Sequence, residues 1–134
     1  MPVPGLPNPL VSIHLTNVAI HTNHGVSEAE REVGQRMLFS VDLILPECPA
    51  TDTDELEGTI DYGAVTELLV ETATETGYLT LERLAAVIAE RMLENFDATW
   101  VKVSAAKPEP PIPVNMDFAG VEVTLTREPG TAAS

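Results

Sequence analysis

From Arg36 to Leu45 the residues alternate without a break, with Met37, Phe39, Val41, Leu43 and Leu45 on one face and Ser40 and Asp42 on the other. An unbroken period of two over this length suits a half-buried strand and not a surface helix. Three further segments share the period. Across Val11 to His21 the apolar positions are Val11, Ile13 and Leu15, then Val18 and Ile20, so the phase slips by one near Asn17. Such a slip marks one long strand with a bulge. Val101, Val103 and Ala105 alternate with Lys102 and Ser104, and Val121, Val123 and Leu125 alternate with Glu122, Thr124 and Thr126. Each of these last two strands has one wet face, as antiparallel sheets commonly do.

Between the second and third strands the period becomes helical. Asp61 can cap a helix from Tyr62 to Thr76, whose Val65, Leu68, Leu69, Thr72 and Ala73 form one stripe and whose stop is Gly77. Thr80 can cap a second helix to Asn95, with Leu81, Leu84, Ala85, Ile88 and Met92 as its buried stripe. The order strand, strand, helix, helix, strand, strand predicts an α+β fold, an antiparallel four-stranded sheet with two antiparallel helices on one face. His24 to Gln35 is polar and contains Gly25 and Gly34, so it reads as a loop with room for one helical turn. Pro46 to Ile60 is acidic and turn-rich, and long for an idle connection.

A chain of 134 residues suits one domain. Residues 1–10 carry four prolines and lack both the basic start and the apolar centre of a secretory signal, so they read as a disordered or extended leader. Residues 11–127 form the folded domain, and 128–134 a flexible tail. No apolar run approaches the roughly 20 residues needed to cross a bilayer. The lone Cys48 permits no internal disulfide, which makes the cytoplasm the expected compartment. A net charge of −14 argues against nucleic-acid and anionic-membrane partners, which require basic surface to displace counterions.

Chemistry concentrates at few positions. Lys107 is one of two lysines and opens the run Lys107-Pro108-Glu109-Pro110-Pro111-Ile112-Pro113. Prolines fix φ and push the preceding residues towards extended geometry, so this loop is a stiff lip that can hold an ammonium in one place. Glu82 lies in the first turn of the second helix, where exposed amides favour a carboxylate, and suits two parallel hydrogen bonds from an amidine-like edge. Tyr62 and Glu30 have less support. Nothing in its loop separates Glu30 from Glu28. His14, His21 and His24 raise the question of zinc; on a regular strand His14 and His21 face opposite sides, although the bulge would reset the phase, and no carboxylate or thiol ligand stands beside His21 and His24, so no metal is expected. Walker, dinucleotide and nucleophile-elbow patterns are absent.

Five motifs in one order resemble the dihydroneopterin aldolase family. They are His24-Gly25-Val26, the run from Glu30 to Gln35, Ile60-Asp61-Tyr62, the run from Leu79 to Ala85, and the proline lip after Lys107. The resemblance spans residues 12–127. It implies a pterin-binding tunnelling fold (T-fold), in which sheets of several subunits close into a barrel and two tetrameric rings stack into a homo-octamer. It also implies a lyase of folate biosynthesis that cleaves 7,8-dihydroneopterin reversibly to 6-hydroxymethyl-7,8-dihydropterin and glycolaldehyde, often with epimerisation at C2′. By the same resemblance Lys107 is the general acid/base, Tyr62 helps deliver the final proton, and Glu30 orients the hydroxylated side chain. Glu82 anchors the pterin 2-amino group and N3, with the backbone of Leu81 lining the pocket, and Asp61 and Tyr62 complete a neighbouring subunit's site. No cofactor, metal or Schiff base is implied. Asn23, Asp61 and the segment from Val114 to Val121 depart from the common pattern. A dihydroneopterin triphosphate epimerase of the same fold and a non-catalytic pterin-binding subunit are the alternatives; the proline lip favours the aldolase over the first, and the presence of both Lys107 and Tyr62 argues against the second.

Overall fold

A computed structural model describes residues 3–128. The expected tail lies outside them except for Glu128. Four strands, β1 (Ser12–Thr22), β2 (Gln35–Ile44), β3 (Trp100–Lys107) and β4 (Ala119–Thr126), pair antiparallel in the order β1-β2-β3-β4. The alternation read from Met37 to Leu43 is the burial pattern of β2, and Val101, Val103 and Ala105 of β3 are buried beside it.

Two helices cover that face. α3 (Tyr62–Glu75) packs on β1 and lays down Val65, Leu69 and Ala73, while α4 (Leu81–Asn95) packs on β3 and β4 through Leu84, Ala85, Ile88 and Met92. Each fully buried large apolar side chain here contributes about 1.5–3 kcal/mol relative to exposure. Phe39 sits wholly inside this layer, and truncating it to alanine costs about 3–5 kcal/mol. Both helices start where the caps predict: Asp61 accepts from Gly63 N at 2.8 Å, and Thr80 Oγ1 accepts from Arg83 N at 3.2 Å.

The bulge in β1 sits between Leu15 and Val18. Asn17 takes a φ of 54° and its amide donates to Ser40 Oγ at 3.0 Å. The extra residue resets the phase, so Ile13, Leu15, Val18 and Ile20 all turn to the core while His14 and His21 are both exposed. The two histidines therefore share a face, as a phase reset by the bulge requires.

One local reading is corrected and two are filled in. The segment after His24 is more than a loop, because it contains a six-residue helix, α1 (Glu28–Val33). α3 does not stop on Gly77: it ends at Glu75, with Thr76 already extended at φ −118° and ψ 162°. The acidic connection after β2 folds into a short α2 (Ala50–Thr53) and a 3-10 turn at Leu56–Gly58. Residues 3–10 are exposed and outside regular elements, and no helix among the described residues is long and apolar enough to cross a membrane.

Candidate active site

One end of the sheet gathers most of the chemistry. Thr22 pairs with Gln35 and Lys107 with Ala119, so the β1–β2 connection, which carries α1, and the β3–β4 connection, which carries the proline lip, emerge together. The β1–β2 connection is also tied to the α3–α4 connection, since Gly25 N donates to Tyr78 O at 3.1 Å. The amino end of α4, with Leu81 and Glu82, thus lies at the same end of the molecule.

Glu30 and Lys107 meet there. Lys107 Nζ donates to Glu30 Oε2 at 2.7 Å, and the two side chains are only 12% and 17% exposed. The carboxylate is held from its other side by local geometry. Ser27 is the N-cap of α1 and Glu30 its third residue, so Ser27 Oγ accepts from Glu30 N at 3.1 Å while Ser27 N donates back to Glu30 Oε1 at 3.3 Å. This is a capping box. Gln35 Nε2 adds a bond to Glu30 Oε2 at 3.2 Å. The Lys107 hydrogen bond, aided by the Ser27 amide and Gln35 and opposed by partial burial, lowers the Glu30 pKa from 4.5 to about 2. Glu30 is therefore an ionised acceptor near neutrality, suited to orienting hydroxyl and ammonium groups and not to donating a proton.

The capping box also shows what distinguishes Glu30 from Glu28. Ser27-x-x-Glu30 is the readable signal. It singles out the carboxylate that folds back over its own helix start. Gly25 makes room for it, because a Cβ there would come within 2.5 Å of Glu30 Cβ.

Glu82 and Leu81 occupy a different environment. Leu81 is half-buried against the core, while Glu82 is exposed and its carboxylate has no hydrogen-bond partner among the described residues. Arg83 N and Leu84 N are taken by Thr80, leaving the amides of Leu81 and Glu82 as donors without an intrahelical partner. An unengaged carboxylate beside two free amides can recognise a planar ligand edge that both donates and accepts.

Tyr62 stands apart. It is 69% exposed at the first position of α3, and its hydroxyl has no partner among the described residues. The carboxyl end of α3 is tied to His24, so Tyr62 lies at the opposite end of a 14-residue helix, roughly 20 Å away along the axis. Within one chain it does not join Glu30 and Lys107. Asp61 beside it uses Oδ1 to cap α3.

Among the described residues no cluster of three or more histidine, cysteine or carboxylate side chains is placed to hold a metal ion. His14 Nδ1 lies 2.6 Å from Asp42 Oδ1 on the outer sheet face. His24 is fully buried with both ring nitrogens bonded to backbone. Cavities of about 420 Å³ on the outer sheet face and 570 Å³ beside the leader include none of the six expected site residues.

A family model described as dihydroneopterin aldolase matches residues 13–124. The dihydroneopterin aldolase of Methylorubrum extorquens is 31% identical over 118 residues, covering 87% of this chain and 91% of that protein. Among solved structures, Escherichia coli dihydroneopterin aldolase in complex with neopterin superposes with a TM-score of 0.78 at 21% identity, covering 86% of this chain and 98% of the other. A dihydroneopterin aldolase from Burkholderia thailendensis bound to guanine superposes with a TM-score of 0.73 at 25% identity, covering 89% and 93%.

Proposed function

The chain belongs to the dihydroneopterin aldolase family, and we propose that it cleaves 7,8-dihydroneopterin reversibly to 6-hydroxymethyl-7,8-dihydropterin and glycolaldehyde, as a step of folate biosynthesis. The observation that carries this reading is the Lys107–Glu30 pair, formed between residues 77 apart at the sheet end that also presents Leu81 and Glu82.

The substrate supplies its own electron sink. When the C1′–C2′ bond breaks, its electron pair forms C1′=C6 and the former C6=N5 imine electrons move to N5, which takes up a proton. The 2′-hydroxyl loses its proton and C2′ leaves as the aldehyde carbon of glycolaldehyde. The enamine then gains a proton at C1′ and releases the one at N5. No step calls for a metal, a cofactor or a lysine Schiff base; the protein must place the ring and move protons.

Each residue has a matching task. Glu82, with the free amides of Leu81 and Glu82, holds the pterin's 2-amino and N3 edge. Guanine, bound by the Burkholderia relative, presents the same amidine edge, and a carboxylate meets it with two parallel hydrogen bonds. Glu30 stays ionised and accepts from the side-chain hydroxyls, competing with its bond to Lys107. Lys107 is the acid/base: once its ammonium has released a proton to water, the amine takes the 2′-hydroxyl proton and then returns one to the enamine, directly or through water. Tyr62 assists that last protonation from a neighbouring copy, because in its own chain α3 carries it far from Lys107. A homo-octamer of two stacked tetrameric rings in the cytoplasm supplies such neighbours and covers the exposed Glu82.

Incubation of the purified protein with 7,8-dihydroneopterin, followed by assay of glycolaldehyde, tests this function. Stoichiometric glycolaldehyde and 6-hydroxymethyl-7,8-dihydropterin are expected. Epimer without glycolaldehyde would replace the aldolase by an epimerase of the same fold.

A further inference from the structure

His24 contributes no atom to the steps above, yet it is fully buried and bonded through both ring nitrogens. Tyr78 N lies 2.8 Å from Nδ1, and a backbone amide can only donate, so Nδ1 is the acceptor. Ala73 O lies 2.9 Å from Nε2, and a carbonyl can only accept, so Nε2 carries the hydrogen. The ring is a neutral, single tautomer fixed by its partners. Burial lowers its pKa, with the Ala73 bond opposing.

The partners span the two halves of the site. Ala73 and Tyr78 flank the turn between α3 and α4, and Tyr78 is four residues before Glu82. Gly25 N secures Tyr78 O, and the Tyr78 ring stacks on His24 at 5.9 Å with an interplanar angle of 17°. On the other side, Gln35 Nε2 reaches His24 O at 3.5 Å and Glu30 Oε2 at 3.2 Å, and Arg31 Nη1 donates to Gly25 O at 2.9 Å. A continuous set of bonds therefore runs from Tyr78, three residues before α4, through His24 to Glu30 and on to Lys107.

We propose that His24 is a positioning residue for the aldol reaction, setting the distance between the pterin anchor at Leu81–Glu82 and the proton-handling pair Glu30–Lys107. The inference rests on the function proposed above. The Tyr78 bond is the one that matters for turnover, because it fixes the segment leading into Glu82; the Ala73 bond satisfies a carbonyl in the last turn of α3 and serves stability. A bound ring displaced by about 1 Å from its acid/base can lose about 100-fold in rate while its anchor is intact.

Two amide variants separate these bonds. In His24→Asn the short amide oxygen replaces Nδ1 and still accepts from Tyr78 N, whereas in His24→Gln the longer amide replaces Nε2 and still donates to Ala73 O. The full-length variants are compared with wild type for folding by circular dichroism, for guanine affinity and for kcat with 7,8-dihydroneopterin. The expected result is that His24→Gln and His24→Ala lose about 100-fold in kcat, with guanine affinity within about threefold, and that His24→Asn recovers most of the loss. Equal kcat for the Asn and Gln variants, or undiminished kcat in folded His24→Ala, would overturn the positioning role while the aldolase reading stands. Absence of glycolaldehyde from the wild type would overturn that reading and this proposal together.

Discussion

The Glu30–Lys107 pair and the amino-terminal turns of α3 and α4 are satisfied to very different degrees by one chain. Glu30 accepts from Ser27, Gln35 and Lys107 and is mostly enclosed. Glu82 and Tyr62 are exposed, with side-chain polar groups that find no partner among the described residues. The difference separates what is built before substrate arrives from what awaits it. Charges that would be costly to reorganise during proton transfer are pre-arranged. The groups that the proposed function assigns to ring recognition, or to another copy, are the ones left free.

Breaking the enclosed half should have the largest effect on chemistry. Lys107→Ala is expected to lower kcat by roughly 10³-fold, within the range of general acid/base contributions, while guanine affinity stays near wild type. Full turnover in that variant would remove Lys107 from its role. Breaking the free half should act on binding instead. Glu82→Ala is expected to weaken guanine binding by roughly 100-fold, as expected when charge-assisted hydrogen bonds to a ligand are lost, with an unchanged melting temperature because the carboxylate holds nothing within the chain. An unchanged dissociation constant would refute the anchor.

The assignment of Tyr62 to a neighbour sharpens the comparison. Lys107→Ala and Tyr62→Ala, each inactive alone, should regain roughly a quarter of wild-type activity when coexpressed as mixed oligomers, since random mixing leaves that share of sites with both residues. Failure to complement, with mixed oligomers verified by mass, would place Tyr62 in the site of its own chain or in none. The smallest expected effect concerns stability. Because the folded-state pKa of Glu30 lies below 4.5, the unfolded chain binds more protons as pH falls from 4.5 to about 2. The pair's contribution is complete above that window and is lost on descending through it. Urea midpoints of Glu30→Gln should therefore decline less steeply than those of wild type across this interval, and parallel slopes would show that the pair does not stabilise the fold.

Much of the architecture is legible because it is local. The alternation of Met37, Phe39, Val41 and Leu43, the slip at Asn17, and the caps at Asp61 and Thr80 depend on neighbours a few residues away, and each has its counterpart in the structure. The Ser27–Glu30 box is just as local, but apolar period does not reveal it, because a six-residue helix with no buried residue shows none. Gly77 misleads for a related reason: a glycine after a helix permits a left-handed stop but does not require one, and Thr76 leaves α3 in an extended conformation.

The amino-acid order by itself determined the four strands, the two long helices, their buried faces and, through its ordered motifs, the family, because period, capping and spacing are written in contiguous residues. The tertiary structure decided which charges meet. Lys107 reaches Glu30 across 77 residues only because the antiparallel pairing of β1, β2 and β3 brings both connections to one end of the sheet, and His24 finds Ala73 and Tyr78 across 49 and 54 residues because α3 turns back beside β1. The length of α3 likewise carries Tyr62 to the far end. Such contacts depend on strand register and helix length together, and neither Lys107 nor Glu30 shows in its own sequence neighbourhood that the other is its partner.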